Sequence, residues 1–327
     1  MKLEKLLQLL LSLSVIAWMV AAGGMATADE TYPSRPVRIV VPFAPGGSTD
    51  IIARLVAQKL TVSMGQTFYV ENRPGANGNL GSEVVAKSSP DGYTLLMGYL
   101  GSLAINPNLF AKQPFDSLKD FAPITNVAAT TQAIVARKDF PANSIPELIA
   151  LVKSGKQVTF ASAGVGSPSH MAGELFNSMA HIKMVHVPYK GSGAVLQDLL
   201  GGHVDISFGG LAASVPSVQD GKLKLLGVTS PRRSVASPDT PAIAETLPGY
   251  QVLSWFGLLA PAGTPKDIVD VLNKRSVEAA NAEDVKGKLA QDGAEIIADT
   301  PQHFHAFIAE EMAKWHKVVV ENGIKTN

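Results

Sequence analysis

Short β-branched runs and helical apolar stripes alternate along this chain, and glycine loops join them. The run Val37 to Phe43 has the make-up of a parallel strand covered on both faces. Pro42 and Pro45 bracket its exit, and Ile51, Ile52, Leu55, Val56 and Leu60 then form one face of a helix. Between them Gly46 and Gly47 permit backbone conformations that other residues avoid, and Ser48, Thr49 or Asp50 can cap the helix. Such a unit presents unpaired backbone N–H groups, so a carboxylate or phosphate would sit well there. One copy says little, because doubly wound proteins use the same turn as a plain connection. The plan recurs at 158–180: a strand, a loop with Gly164 and Gly166, Ser167 as N-cap, Pro168 at the first helical position, then Met171, Leu175 and Met179 on one face. Two halves of the chain thus each carry a cradle.

The pattern around the first cradle reads as a βαβαβ half. A strand over Thr67 to Glu71 precedes the loop Arg73 to Asn79, a short helix follows around Ser82 to Lys87, and Pro90-Asp91-Gly92 turns the chain into a strand over Tyr93 to Met97. An irregular stretch then leads into a first crossover, and a second domain is expected from near Asp120. It opens with a long strand, Pro123 to Arg137, and a helix started by the capping box Ser144-Ile-Pro-Glu147 and stopped near Gly155. Further strands fit at Val158 to Ser162, Met184 to Tyr189, Asp205 to Gly209 and Leu223 to Ser230, with a third glycine-led helix start at Gly191-Ser192-Gly193. Pro231, Pro238, Pro241 and Pro248 make 231–250 an ordered loop returning to the first domain. There Trp255 to Ala260 is a strand, Thr264-Pro265 opens a helix, and Ala294 to Ala298 is a last edge strand. Thr300-Pro301 opens a terminal helix with the stripe Phe304, Phe307, Ile308, Trp315, Val318 and Val319. The expected division is lobe 1 over 29–119 and 254–300, and lobe 2 over 120–253 and 301–327.

The first thirty residues say where such a protein works. Lys2 and Lys5 precede an apolar stretch from Leu6 to Ala22 and then Ala26-Thr27-Ala28, the marks of a secretory signal peptide, 1–28, cleaved after Ala28. A retained membrane anchor is the alternative that the stretch's length permits. The expected compartment is the periplasm. Removing Lys2, Lys5 and Glu4 from 28 basic and 28 acidic residues leaves 26 and 27. With no lysine or arginine run, that balance gives no footprint for nucleic acid or anionic lipid. The absence of cysteine excludes disulfides, thiolate catalysis and cysteine-ligated metal.

Catalytic patterns are largely missing. There is no G-x-S-x-G, H-E-x-x-H or G-x-x-x-x-G-K, and Gly164-Val-Gly166 lacks the third glycine of a dinucleotide loop. The seven histidines are scattered, which reads as surface or capping roles rather than a metal site. His170 stands apart, because it falls at the third helical position of the second cradle, with packing against Glu174 as its structural alternative. Asp50, Asp91, Asp198 and Asp205 read as cap, turn, helix face and strand start. A hydrolase using Ser167 with His170 stays open, since triads assemble in space. Binding without chemistry explains more of the chain. In open parallel sheets ligands lie beyond the strands' carboxyl ends and between domains. The candidate liners are Phe43, Ala44, Pro45, Gly46, Gly47, Ser48, Thr49 and Asp50 of the first loop, and Tyr99, Gly101 and Ser102 beyond the third strand. The second half offers Ser162, Ala163, Gly164, Gly166, Ser167 and His170, then Tyr189, Lys190 and Gly191, with Asp205 completing the set. Phe43 and Tyr189 can be aromatic walls or strand-end core. No arginine sits in these loops, so an anion would be held by N–H groups, hydroxyls and bridging water.

These residues also carry a family resemblance. The segments YPSRPVRIVVPFAPGGSTDIIARLVAQKL, VENRPGANGNLGSEVVAKSSPDGYTLLMG, AINPNLF, DFAPIT, FASAGVGSPSHMAGELF, VPYKGSGAVLQDLLGGHVDISF and GLLAPAGTP resemble the Bug-type extracytoplasmic receptors of tripartite tricarboxylate transporters. The resemblance implies an α/β, two-lobed periplasmic binding fold of type II, each lobe a doubly wound sheet flanked by helices, joined by two crossovers. It implies a cofactor-free, non-enzymatic, monomeric receptor that closes on a small mono-, di- or tricarboxylate and delivers it to inner-membrane subunits. The first glycine loop would hold one carboxylate through main-chain groups and water, pointing at Phe43 to Asp50, and Ser162 to His170 would select the rest. One departure is Leu103 after Ser102, where such receptors often carry a polar pair before A-I-N-P. It either alters ligand choice or faces the core. A sensor-linked receptor with the same binding chemistry is a further alternative.

Overall fold

The computed structural model describes residues 32–110, 112–291 and 293–324. The expected signal peptide and its cleavage site lie outside the described residues. All the elements below belong to one unit, Arg35–Asn327.

The first half follows the βαβαβ plan. Strand β1 (Val37–Val41) leads to helix α1 (Ser48–Met64), then β2 (Phe68–Asn72), α2 (Asn79–Ala86) and β3 (Thr94–Tyr99). Strand β1 pairs parallel with both β2 and β3, and Val37, Ile39, Val40 and Val41 are fully buried, as a central parallel strand requires. A π turn over Gly101–Ile105 runs into the one-turn helix α3 (Asn106–Leu109), where the sequence suggested only irregular chain.

Strand β4 (Phe121–Arg137) is 17 residues long and serves two sets of partners in succession. Phe121 to Thr131 ladder antiparallel onto β9 (Leu253–Pro261). Gln132 to Ala136 pair instead with β7 (Ile206–Gly210), and Ala133 to Arg137 with β8 (Leu223–Val228). Strand β4 is long enough to serve both halves, and its partner change falls at Thr131 and Gln132, beyond the Asp120 at which the second domain is expected to begin.

The second half mirrors the first. Helix α4 (Ile145–Lys153) starts as its sequence suggests: Ser144 Oγ accepts the Glu147 N–H at 3.3 Å, and Glu147 reaches back to the Asn143 N–H at 2.8 Å. Then come β5 (Thr159–Ser162), α5 (Pro168–Ala180), β6 (Val185–Pro188), α6 (Ser192–Leu200), β7, α7 (Leu211–Gln219) and β8. Strand β5 pairs parallel with β6 and β7, as β1 does with β2 and β3. The helix α7 is missing from the sequence reading because Pro216 sits inside it.

After the irregular return over 229–252, β9 rejoins β3 and β4, followed by α8 (Lys266–Ala280), α9 (Glu283–Gln291), the edge strand β10 (Ala294–Ile296) on β4, and α10 (Pro301–Glu321). The sheet order β2-β1-β3-β9-β4-β7-β5-β6 makes one curled mixed sheet with a two-lobed arrangement. Helix α10, expected on the second lobe, touches both halves: it packs on the π turn, α3, β4 and α5. Glu311, almost fully buried, anchors it by accepting from Trp255 Nε1 at 3.3 Å and Trp315 Nε1 at 3.1 Å. Phe304 lies over Gly257, where an added Cβ would meet its Cζ at 2.1 Å, so only glycine admits this approach. No helix among the described residues is long and apolar enough to cross a membrane.

Candidate functional site

The topology decides where the loops meet. In each half the strand that leads into a glycine loop is the middle one, with the later strands paired on either side of it, so its carboxyl end is a switch point where a crevice opens. Residues 43–47 leave β1 there, and 163–167 leave β5.

The first loop is held from below and left open above. Asp50 is 3 % exposed and acts as the fastener: Oδ2 accepts the Gly46 N–H at 3.0 Å and Arg54 Nε at 2.9 Å, and Oδ1 accepts Asn72 Nδ2 at 2.9 Å. Asn72 also donates to the Phe43 carbonyl at 3.0 Å. Burial pushes the Asp50 carboxyl up, but the hydrogen bonds from Arg54, Gly46 and Asn72 outweigh it and hold the group below its usual range. Gly81 of α2 closes the base: a Cβ there would stand 2.7 Å from the Pro42 Cα. Helix α1 begins at Ser48 with Gly47 as N-cap and no side-chain cap hydrogen bond. The expectation that Ser48, Thr49 or Asp50 caps the helix is thus corrected; all three lie inside the first turn, because Asp50 is drawn back to Gly46. The first-turn N–H groups remain free of a side-chain cap, and Ala44 to Ser48 are exposed.

Aromatic rings wall this loop. Phe43 meets Tyr99 edge-on at 5.2 Å, and Tyr99 stacks on Phe256 at 5.5 Å. Burial raises the Tyr99 phenol, against a smaller lowering by its hydrogen bond with Ser254. Gly101 packs under the Tyr99 ring, where a Cβ would come within 2.7 Å of it.

The second loop is tied internally. Ser167 Oγ accepts the His170 N–H at 3.3 Å and donates to the Gly164 carbonyl at 2.7 Å, capping α5 as its sequence suggests. The Ala163 N–H donates to Ser169 Oγ at 3.0 Å. Gly164 (φ 134°) and Gly166 (φ 76°) adopt conformations that favour glycine, and a Cβ on Gly166 would collide with Leu109 at 2.6 Å. The Tyr189 and Gly191 N–H groups donate to the carbonyls of Ser162 and Ala163, extending the β5–β6 ladder into the loops. Tyr189 donates its hydroxyl to Asp198 at 2.6 Å, and burial together with that carboxylate pushes the phenol to about 12. Lys190 is exposed.

Several candidates take other roles. Ser102 is fully buried and donates to the Tyr99 carbonyl at 3.2 Å, so it braces the wall rather than lining the crevice. Leu103 is likewise fully buried and faces the core against Gly98. Asp205 lies at the opposite end of the second sheet: it accepts from the Thr159 N–H at 2.9 Å and Arg137 Nε at 3.2 Å, because the start of β7 stands beside the start of parallel β5. The His170 imidazole engages other partners than the Ser167 hydroxyl. Its Nδ1 accepts the Gly166 N–H at 3.2 Å and its Nε2 lies 3.5 Å from Glu174. The reading of the histidines as scattered is corrected by fold: His170 and His186 stack at 3.8 Å, and His186 Nε2 lies 2.6 Å from Ser162 Oγ. Burial, then the neighbouring His170, lowers His186 to about 4. Among the described residues no cluster of His, Cys, Asp or Glu is arranged to hold a metal. The sequence reading also missed Arg54 and Asn72, whose only signal is that an acidic residue in a first turn with arginine four residues later forms a local pair.

Two central strands ending in glycine loops, an uncapped helix start and polar side chains engaged within the protein define a two-lobed solute-binding protein. A family model described as tripartite tricarboxylate transporter family receptor matches residues 52–324, and the chain belongs to this family. Among curated relatives, Protein BugT of Bordetella pertussis is 37 % identical over 318 residues, covering 96 % of this chain and 98 % of its own. Among solved structures, R. palustris Rpa4515 with adipate superposes with a TM-score of 0.78 at 35 % identity, covering 90 % of this chain and 99 % of that one. MatC (Rpa3494) from Rhodopseudomonas palustris with bound malate gives 0.75 at 36 % identity, covering 88 % and 100 %. The chain is therefore a receptor of this family and not an enzyme.

Proposed function

We propose that this receptor captures a small organic carboxylate between its lobes in the periplasm, as a monomer, and delivers it to the inner-membrane subunits of a tripartite transporter. The observation that carries the reading is the α1 start: an exposed glycine loop and a first turn whose N–H groups no side chain caps. Rpa4515 and MatC, similar over nearly their whole length, hold adipate and malate. In this reading lobe 1 ends where β4 changes partners at Thr131 and Gln132, and β9 returns the chain to it. Closure turns about that point. There Thr229 hydrogen-bonds the Gln132 backbone at 2.8 and 2.9 Å, and Gln132 Nε2 donates to Ser254 Oγ at 3.1 Å.

The test is thermal stabilisation by a panel of mono-, di- and tricarboxylates, with mass spectrometry of compounds that co-purify. An unmodified carboxylate that raises the melting temperature in a saturable way is expected. Turnover of the bound compound, or no response to any carboxylate, would sink the proposal.

A further inference from the structure

Beside the second loop, between α6, α7 and the carboxyl end of β7, lies a cavity of about 160 Å³. Ala163 and Ser169 contribute to its wall, so it adjoins the second cradle. Its apolar surface comes from Val195, Leu196 and Leu199 of α6 and from Phe208 of β7. None of its lining residues carries a charge. Two features give it a polar edge. Helix α6 starts from Gly191 without a side-chain cap, and Ser192 and Gly193 of its first turn line the cavity. Ser207 is 3 % exposed and also lines it, and a Cβ on neighbouring Gly209 would stand 3.6 Å from the Ser207 Oγ. Ser214 is engaged, donating to the Gly210 carbonyl at 3.0 Å.

We propose that this cavity is the second subsite for the ligand and that it takes an uncharged, apolar body. The ligand class is then a small monocarboxylate bearing an alkyl or phenyl-sized group, with one hydrogen-bonding position for Ser207. The inference rests on the carboxylate-receptor reading above and sharpens it. The size supports it: an apolar cavity of about 150 Å³ in another protein takes benzene. At about 160 Å³ the space is smaller than a complete ligand pocket, which spans roughly 300–1,000 Å³, so it seats part of a ligand and leaves the carboxylate outside. The lining supports it as well, because a second carboxylate driven among Val195, Leu199 and Phe208 would leave its hydration for apolar walls, with only the α6 first turn and the serine hydroxyls at the edge and no cation in the lining.

Isothermal titration of the purified protein tests this with benzoate, phenylacetate and hexanoate set against adipate and citrate. The first group is expected to bind at least tenfold tighter than the second. Gly193→Leu places a side chain where nothing lies within 4 Å of the Cβ and is expected to weaken phenylacetate at least tenfold while leaving acetate unchanged. Ser207→Ala, which removes only the hydroxyl, is expected to weaken ligands with a para hydroxyl several-fold and to spare unsubstituted ones. That pair keeps the test valid should Gly193→Leu fail to fold. Tighter binding of adipate or citrate, or titrations that neither variant alters, overturns the subsite while the receptor reading stands. Failure of every carboxylate overturns both.

Discussion

Replacing Gly47 by aspartate sets the helix cap against the ligand. Gly47 has φ −83° and ψ 168°, extended backbone that any residue adopts, and a Cβ there meets nothing within 4 Å. An aspartate at this N-cap can accept the N–H of Thr49 or Asp50, the groups that the ligand carboxylate is proposed to use. Aspartate exceeds glycine at an N-cap by only a few tenths of a kcal/mol, so the unliganded melting temperature should hold or rise by about 1 °C. The effect on binding is larger and of opposite sign. A hydrogen bond to a charged group contributes about 1.5–3 kcal/mol, so loss of one donor weakens binding about 10- to 150-fold. Calorimetry with the tightest carboxylate of the panel reads the loss, and melting curves read the fold. Gly47→Ala adds the same Cβ without the carboxylate and separates bulk from capping. A dissociation constant within twofold of the parent, in a protein whose melting temperature has risen, would refute the assignment of the α1 start as the carboxylate seat.

The remaining expectations concern the frame around the loops. Arg54→Gln removes the cation beside Asp50 and leaves that charge uncompensated near the cradle; binding should weaken several-fold, more at low salt, while stability changes by less than about 1 kcal/mol because the arginine side chain is half exposed. His186 titrates at about 4 in the fold against about 6.5 in the unfolded chain. The unfolded state binds the proton first, so this contribution is complete above about pH 6.5 and is lost as pH falls toward 4, at no more than about 1.4 kcal/mol per pH unit. Urea denaturation of His186→Phe across that range should show a shallower slope than the parent, and parallel curves would exclude the histidine as the source. Gly257→Val should cost about 1–3 kcal/mol through collision with Phe304, with Phe304→Leu restoring part of it in the same chain; an unchanged urea midpoint would show that the helix adjusts freely.

The sequence made the frame legible where local chemistry and periodicity agree. The β1 run, the α1 stripe, the Ser167-Pro168 start of α5, the Thr300-Pro301 start of α10 and the long β4 all stand where their patterns place them. Helix α9 escaped notice because EDVKGKLAQ offers only Val285 and Leu289 to the core, too few for a stripe. Helix α7 was hidden by Pro216, and the π turn over Gly101–Ile105 has no periodic signature. At the site, spacing located both loops but not the direction of their side chains. Asp50 turns back to Gly46, Ser102 turns down to Tyr99, and His170 meets His186 from another strand. Asp205 shows the same limit at the level of topology: only the parallel pairing of β5 and β7 places it at the far end of the sheet from the glycine loop.

The two cradles share a plan but divide the work differently. In the first, the helix start lacks a cap, the loop is exposed, and the nearest carboxylate, Asp50, is matched by Arg54, so an anion meets free N–H groups without a net opposing charge. In the second, Ser167 caps the helix, Ser169 holds the Ala163 N–H, and His170 is engaged with Gly166. These three donors are already taken, and on the proposed reading selection there falls to shape and the neighbouring apolar cavity. On the proposed reading, recognition of charge belongs to lobe 1 and recognition of the ligand's body to lobe 2. That division has a consequence for closure. A ligand shifts the balance between open and closed forms only through contacts that differ between them. A bare carboxylate held on the α1 start alone would bind equally to both and shift nothing. A ligand whose body also enters the second lobe gains those contacts on closure, and each 1.4 kcal/mol so gained moves the balance about tenfold. The receptor would then present a closed form to its membrane partner only for ligands that satisfy both lobes.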